Sequence, residues 1–236
     1  MVPIERLTAG AREYRQKSGR PLVTLSYAQG LDGSIAACQG QPLALSGPQA
    51  LRLTHQLRGA HDAILVGIGT VLADDPQLTV RLVEGENPQP VVLDGRLRTP
   101  LDSRLMQHPL RPWIATLEGA DPGKVAQLEK LGAVIYPLPA AEPDRVSLLA
   151  LLEMLAGQGL DSLMVEGGAE VIGAFLSQKL VNLVVLTIAP VFVGGLRATT
   201  PGGSVFPSIT GGFPRLYEMG CEILGEDLVV WGRLAA

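Results

Sequence analysis

The stretch Asp62-Ala63-Ile64-Leu65-Val66-Gly67-Ile68-Gly69-Thr70-Val71-Leu72-Ala73-Asp74-Asp75-Pro76-Gln77-Leu78-Thr79-Val80-Arg81 decides how the chain is read. Ala63 to Val66 is a short unbroken apolar run, the pattern of a strand buried on both faces. It runs into Gly67-Ile68-Gly69, where missing side chains let backbone approach a ligand. A third glycine at the dinucleotide-fingerprint position is absent, and Leu72 stands there. Thr70 offers a hydroxyl, Asp74 an acceptor for a cofactor amide or ribose, and Arg81 a bidentate grip on a phosphate. Read blandly, Asp74-Asp75-Pro76 is a solvated helix stop; the combination of groups weakens that reading.

Outward from this stretch, strand-like and helix-like segments alternate. Leu22 to Tyr27 mixes β-branched and apolar residues like a strand, and Gly30-Leu31-Asp32-Gly33 breaks it. Pro48 begins a helix to Arg58, capped by Ser46 or Gly47, with Leu51, Leu53 and Leu57 as its apolar side. Val91–Leu93, Trp113–Ala115, Ala133–Tyr136, Ser162–Val165 and Leu183–Ala189 read as further strands. Asp121-Pro122 opens a helix that turns Val125, Leu128 and Leu131 to one side and stops at Gly132. Asp144 is expected to cap a leucine-rich helix ending near Gly157. Leu228–Trp231 is expected to close the sheet, antiparallel to a partner around Tyr217–Ile223. The fold class is therefore α/β, a mostly parallel sheet with an antiparallel C-terminal end and helices on both faces. Residues 1–20 read as an arm or short helix, residues 21–236 as one domain, and Gly194–Gly212 as a Gly-, Pro- and Thr-rich loop. The apolar run Leu183–Val193 reads as an exposed dimer edge.

Composition narrows the function classes. The 236 residues are 47% hydrophobic and only 4% aromatic, so the core is aliphatic. A net charge of −4 without a basic face argues against nucleic-acid binding. No apolar run approaches the roughly 20 residues of a membrane span, and Met1–Arg20 lacks a secretory pattern. Two cysteines and three unclustered histidines suggest neither a disulfide framework nor a protein-bound metal. A cytoplasmic protein is expected.

Ala28-Gln29-Gly30-Leu31-Asp32-Gly33, just past the first strand, is a second candidate site or an ordinary glycine turn, and Glu166-Gly167-Gly168, after a strand and before a helix, forms a third. Such a turn aims backbone N–H groups and the helix dipole at phosphate, although paired glycines also permit tight helix–sheet packing. Arg58, ending the first long helix, either complements that helix's dipole or joins Arg81 on a phosphate.

Together, Leu31-Asp32-Gly33, the Asp62–Arg81 stretch and Val165-Glu166-Gly167-Gly168 resemble the pyrimidine reductase of riboflavin biosynthesis, over about Pro21–Arg233. The resemblance implies a dihydrofolate-reductase-like fold, NADPH as cofactor and a homodimer. It also implies reduction of the ribosylamino chain of a pyrimidine 5′-phosphate to a ribitylamino chain. By resemblance, Ala28, Thr70, Asp74 and the helix start Gly168-Ala169-Glu170-Val171-Ile172-Gly173-Ala174 contact NADPH. Arg58, Leu78, Arg81 and Glu166 contact the substrate, and Glu166, Asp74 or water handles the proton. The chain departs from the family at Gly30, where many members carry serine, and at Pro42 and Ala44, where many bacterial members carry serine and tryptophan. It lacks the zinc-binding motifs of the companion deaminase. The ring is either a 5-aminouracil or a 2,5-diaminopyrimidinone, with a slight lean to the latter. The rivals are a dihydrofolate-type reductase of another substrate and a non-catalytic nucleotide-binding regulator of the same fold.

Overall fold

The computed structural model describes residues 2–198 and 214–234. In chain order the elements are α1 (Ile4–Thr8), α2 (Ala11–Ser18), β1 (Leu22–Gly30), β2 (Ser34–Ala36), α3 (Pro48–Gly59), β3 (Ala63–Gly67), α4 (Ile68–Asp74) and β4 (Gln89–Leu93). A 3-10 turn at Arg104–Gln107 precedes β5 (Trp113–Leu117), α5 (Pro122–Lys130), β6 (Val134–Leu138), β7 (Ala140–Glu142), β8 (Arg145–Val146) and α6 (Leu148–Gly157). The chain continues through β9 (Ser162–Val165), α7 (Ala169–Ser177), β10 (Leu183–Ala189), β11 (Leu196–Arg197), β12 (Leu216–Leu224) and β13 (Asp227–Leu234).

Nine strands form one sheet in the order β12-β13-β10-β1-β9-β3-β4-β5-β6. From β10 to β6 every pairing is parallel; β13 joins β10 and β12 antiparallel. This is the mostly parallel sheet with an antiparallel C-terminal end that the strand pattern implied.

Period-2 alternation sorts the core into two layers. Val23, Leu25, Leu65, Leu163 and Val165 pack with Leu151, Leu152 and Leu155 of α6 and Ile172 and Phe175 of α7. The alternate residues face the other way: Ile64, Val66, Val92 and Ile114 meet Val71 of α4 and Leu128 of α5. On that same face Leu22, Met164, Leu183 and Val185 meet Leu53 and Leu57 of α3. Helices thus cover both faces, and β3, with every residue buried, lies between two apolar layers.

Several local expectations need correction. Asp144 does not cap α6; Ser147 does, its hydroxyl accepting from Ala150 N at 3.2 Å. Asp144 instead sits at positive φ (65°) in the β7–β8 hairpin turn and pairs with Arg96. Leu51 and Leu131 are exposed, so the buried sides of α3 and α5 are narrower than their leucines suggested. The run Leu183–Val193 is no exposed edge: Leu183–Ala189 is an interior strand between β1 and β13, and only Pro190, Val191 and Phe192 beyond it are exposed. The first twenty residues hold two short helices; Leu7 and Ala11 on them, and Val2 ahead of them, are buried against the α3 face. Arg15 fixes them there through Asp161 at 2.5 Å. Residues 199–213 of the glycine-rich loop lie outside the described residues.

Candidate active site

The C-terminal ends of β1, β3 and β9 open into a cleft of about 980 Å³. That is at the top of the roughly 300–1,000 Å³ range of ligand pockets, large enough for a cofactor lying beside a substrate. Two strand-to-helix turns form one wall. β3 passes through Gly67 into α4, and β9 passes through Glu166-Gly167-Gly168 into α7. Neither helix start has a side-chain cap, so the first-turn N–H groups of both are free to face a ligand.

The two glycines of the second turn differ in purpose. A Cβ on Gly167 would sit 2.5 Å from Val171 Cβ, and one on Gly67 2.7 Å from Val171 Cγ2. These glycines exist so that α7 can lie close against β3. A Cβ on Gly168 would meet only Thr70 Oγ1, at 3.5 Å. Gly168 therefore faces the cleft beside the Thr70 hydroxyl, which links the two turns. The packing reading of the glycine pair thus describes Gly167, while Gly168 is left open toward the cleft.

Deeper in the cleft, α3 brings Arg58 over the end of β9. Arg58 Nε and Nη2 donate to the two oxygens of Glu166, each at 2.7 Å, and Nη1 donates to the Thr79 carbonyl at 3.1 Å. The side chains are only 11% and 15% exposed. Burial works to lower the Arg58 guanidinium, but the charge and hydrogen bonds of Glu166 prevail and raise it. With both oxygens engaged by one fork, Glu166 is held in a single orientation at the cleft floor. Arg58 is therefore a partner of Glu166 first. The simple picture of Arg58 and Arg81 as twin clamps on one phosphate does not describe this geometry.

Most of the sequence-derived candidates converge on the cleft wall: Ala28, Arg58, Thr70, Asp74, Glu166, Gly168, Ala169, Glu170, Val171, Ile172 and Ala174. Gly173 is buried inside α7 and does not line it. Leu78 is 1% exposed and packs with Ile64, Val66 and Val71, so its side chain serves the core. It has positive φ (55°), in the turn that carries the chain to Arg81. Arg81 is exposed off the cleft wall and donates to Thr79 Oγ1 at 2.9 Å. Burial first, then the charges of Arg58 and Arg104, lower its guanidinium. Cations crowded in this way favour an anion among them. Asp74 stands exposed on the wall, and its partial desolvation raises its carboxyl above the usual range. Asp62, at the head of the diagnostic stretch, sits at the opposite end of β3. Its Oδ2 accepts from Asp161 N and Ser162 N at 2.8 Å and from Ser162 Oγ at 3.0 Å, joining β3 to β9.

Sequence reading missed several cleft residues. Ser26 and Thr187 are 8% and 6% exposed and line the cleft, and no hydrogen bond to either hydroxyl is present among the described residues. Each interrupts the apolar run of a buried strand, and that interruption was the available signal. Thr54 joins them from α3, and Cys38 to Ser46 form the outer rim, with Pro42 and Ala44 on it. Gly30 has no room for the serine common at its place, since a Cβ there would lie 2.7 Å from the Val191 carbonyl oxygen.

No helix among the described residues is long and apolar enough to cross a membrane, and no cluster of His, Cys, Asp or Glu there has the makings of a metal site.

Known proteins resemble this chain in sequence and in fold. The chain is 42% identical over 215 residues, 89% of its length, to a 2,5-diamino-6-ribosylamino-4(3H)-pyrimidinone 5′-phosphate reductase of Methanothermobacter thermautotrophicus, covering 97% of that protein. A protein of the same name from Archaeoglobus fulgidus is 39% identical over 191 residues, 77% of this chain and 85% of its own. Among solved structures, the riboflavin biosynthesis reductase Rib7 of Saccharomyces cerevisiae superposes with a TM-score of 0.74 at 27% identity, over 96% of this chain and all of that one. RibD of Acinetobacter baumannii shares the fold at a TM-score of 0.79 and 24% identity, over 94% of this chain and 60% of that one. Residues 21–230 match the RibD C-terminal domain, from β1 into the first half of β13, so the chain that builds this cleft belongs to that family.

Proposed function

We propose that this protein is an NADPH-dependent reductase that converts the ribosylamino side chain of a phosphorylated pyrimidine to its ribitylamino form in riboflavin biosynthesis. The substrate named for the archaeal relatives, a 2,5-diamino-6-ribosylamino-4(3H)-pyrimidinone 5′-phosphate, is the ring form we assign. The observation that carries the reading is one cleft shared by a double helix-start wall and a buried Arg58–Glu166 pair. The first suits a dinucleotide and the second a polar substrate.

NADPH would lie along the Gly67–Thr70 and Gly168–Ala174 turns, and bound there it supplies the hydride. The free first-turn N–H groups of α7 would hold its diphosphate, supported by the Thr70 hydroxyl and the helix dipole. Asp74 would accept from a cofactor hydroxyl or amide. Glu166, fixed by Arg58, would receive hydrogen bonds from the substrate and hold its reacting end against the cofactor wall, which is orientation rather than chemistry. Asp74, already shifted toward the protonated form, is the side chain better suited to pass a proton, directly or through water. Arg81 would take the substrate phosphate, aided by the neighbouring charges of Arg58 and Arg104. Binding energy spent on that remote group serves to orient the reacting carbon.

A homodimer and a cytoplasmic setting belong to the same reading. Among the described residues β12 ends the sheet with Tyr217, Met219 and Ile223 exposed, and we assign the pairing to this edge.

The decisive assay follows loss of NADPH absorbance with the diaminopyrimidinone phosphate, the aminouracil phosphate and dihydrofolate. We expect turnover of the first. Tight NADPH binding without turnover of any would point to a regulatory protein, and turnover of dihydrofolate alone would overturn the substrate. Arg81→Ala is expected to raise KM for the phosphorylated substrate with little change in kcat. Unchanged steady-state constants would remove Arg81 from the phosphate site.

A further inference from the structure

His55 has no part in the reading above, yet it is a polar ring only 1% exposed. It lies one turn before Arg58 on α3, so the two side chains leave the same side of the helix. Both reach the same target. Arg58 Nη1 donates to the Thr79 carbonyl at 3.1 Å, and His55 Nδ1 accepts from the Arg81 backbone N–H at 3.0 Å. Between them, Val80 N donates to Asn87 Oδ1 at 2.7 Å. Thr79-Val80-Arg81 belongs to no strand. Side-chain hydrogen bonds at three consecutive residues take the place of the ladder that would otherwise fix it.

The acceptor role defines the chemistry of His55. A lone pair on Nδ1 puts the ring proton on Nε2, and a second proton would turn this acceptor into a donor facing another donor. Burial, then the charges of Arg58 and Arg81, bring the ring down to about 4, while Glu166 works weakly the other way. The acceptor form therefore persists throughout the neutral range.

We propose that His55 is the positioning residue of the phosphate site: by holding the Arg81 backbone, it sets where the Arg81 guanidinium stands relative to the Arg58–Glu166 pair, and so tunes recognition of a phosphate monoester. The inference rests on the assignment of Arg81 to the substrate phosphate. His55 does not line the cleft, so its effect passes through Arg81.

The experiment compares wild type, His55→Leu, His55→Asn, Arg81→Ala and the His55→Leu/Arg81→Ala double variant, using the pyrimidine substrate with and without its phosphate. Leucine fills the space without an acceptor, whereas the asparagine oxygen can stand near the place of Nδ1. His55→Leu should raise KM for the phosphorylated substrate about fivefold to tenfold, the worth of one such hydrogen bond. It should leave kcat and NADPH affinity nearly unchanged, lower the preference for the phosphorylated substrate, and be rescued by asparagine. In the Arg81→Ala background, His55→Leu should add nothing to KM. Equal losses on both substrates, or additive losses in the double variant, would mean that His55 merely fills the core, and would overturn the inference. Should His55→Leu fail to fold, the ring nitrogens of the wild type still decide by NMR: protonated Nε2 with bare Nδ1 supports the inference, and the reverse tautomer overturns it. A wild type inert toward the phosphorylated pyrimidine sinks the functional reading instead. An active wild type with an unaffected Arg81→Ala sinks only the phosphate assignment on which this inference stands.

Discussion

Gly167 and Gly168 are adjacent in sequence and opposite in consequence. A methyl group on Gly167 has nowhere to go, because Val171 is β-branched, stiff at χ1 and already against the backbone. Gly167→Ala is expected to push α7 off β3 at a cost of about 1–3 kcal/mol, the usual range for overpacking. Thermal or denaturant unfolding would show it. Gly168→Ala meets only a hydroxyl at ordinary contact distance. It should fold with near wild-type stability yet bind NADPH several-fold more weakly, since the methyl occupies the line of approach between Thr70 and the α7 start. Fluorescence titration of the cofactor separates the two variants. Should Gly168→Ala bind NADPH as the wild type does, the cofactor does not lie along this turn. The sequence showed that two glycines stood at a strand–helix junction, but not which served packing. That depended on where Val171, four residues further on, pointed.

At the scale of elements, local signals were legible and distant ones were not. The β3–α4 and β9–α7 units follow from a buried apolar run, a glycine turn and a helical start, all within a dozen residues. The Arg58–Glu166 pair joins positions 108 apart, and the grip of α3 on residues 79–81 has no signature in either segment alone. Asp144 was misjudged because its place in a tight hairpin depends on tertiary contact with Arg96, while a serine three residues later provided the actual cap. Asp62 shows a further limit: membership in a diagnostic stretch does not place a residue at the site. Its carboxylate ties the start of β3 to the start of β9, at the far end from the cleft. Asp62→Ala would leave the Asp161 and Ser162 N–H groups without their acceptor, and is expected to lower stability by about 1–3 kcal/mol. KM for both ligands should stay within about twofold. A selective rise in either KM, with stability intact, would show that Asp62 acts on the cleft after all.

For the molecule as a whole, burial of histidine sets the pH response of stability, with two of the rings, His55 and His61, on the α3 side. His55 is held at about 4 against an ordinary 6.5, burial being the largest cause. Burial also lowers His61, whose Nδ1 donates to the Leu57 carbonyl at 2.7 Å and whose Nε2 contacts Thr24 Oγ1 at 2.8 Å. Both groups bind a proton less readily in the folded protein than in the unfolded chain. Between about 6.5 and 4, then, the unfolded state takes up protons that the folded state refuses, and stability falls as pH falls. Above the unfolded value neither group matters. Asp32 extends the loss further into acid: hydrogen bonds from Gly194 N and from Ser34 hold its carboxyl at about 2, so stability drains away again as pH falls from its ordinary 3.8 toward that value. His108 is lowered by burial in the same sense, so Asp74, raised by burial and working in the opposite sense, is one exposed group against three buried rings. The denaturant midpoint should therefore be flat from pH 8 to about 7 and decline from about 6.5 downward, well before ordinary carboxylates titrate. In His55→Asn, which cannot take up the proton, that decline should be shallower at unchanged midpoint slope. A midpoint constant between pH 7 and 5 would mean that the rings are reached by water and protonated without unfolding, and that the α3 face is looser than its packing indicates.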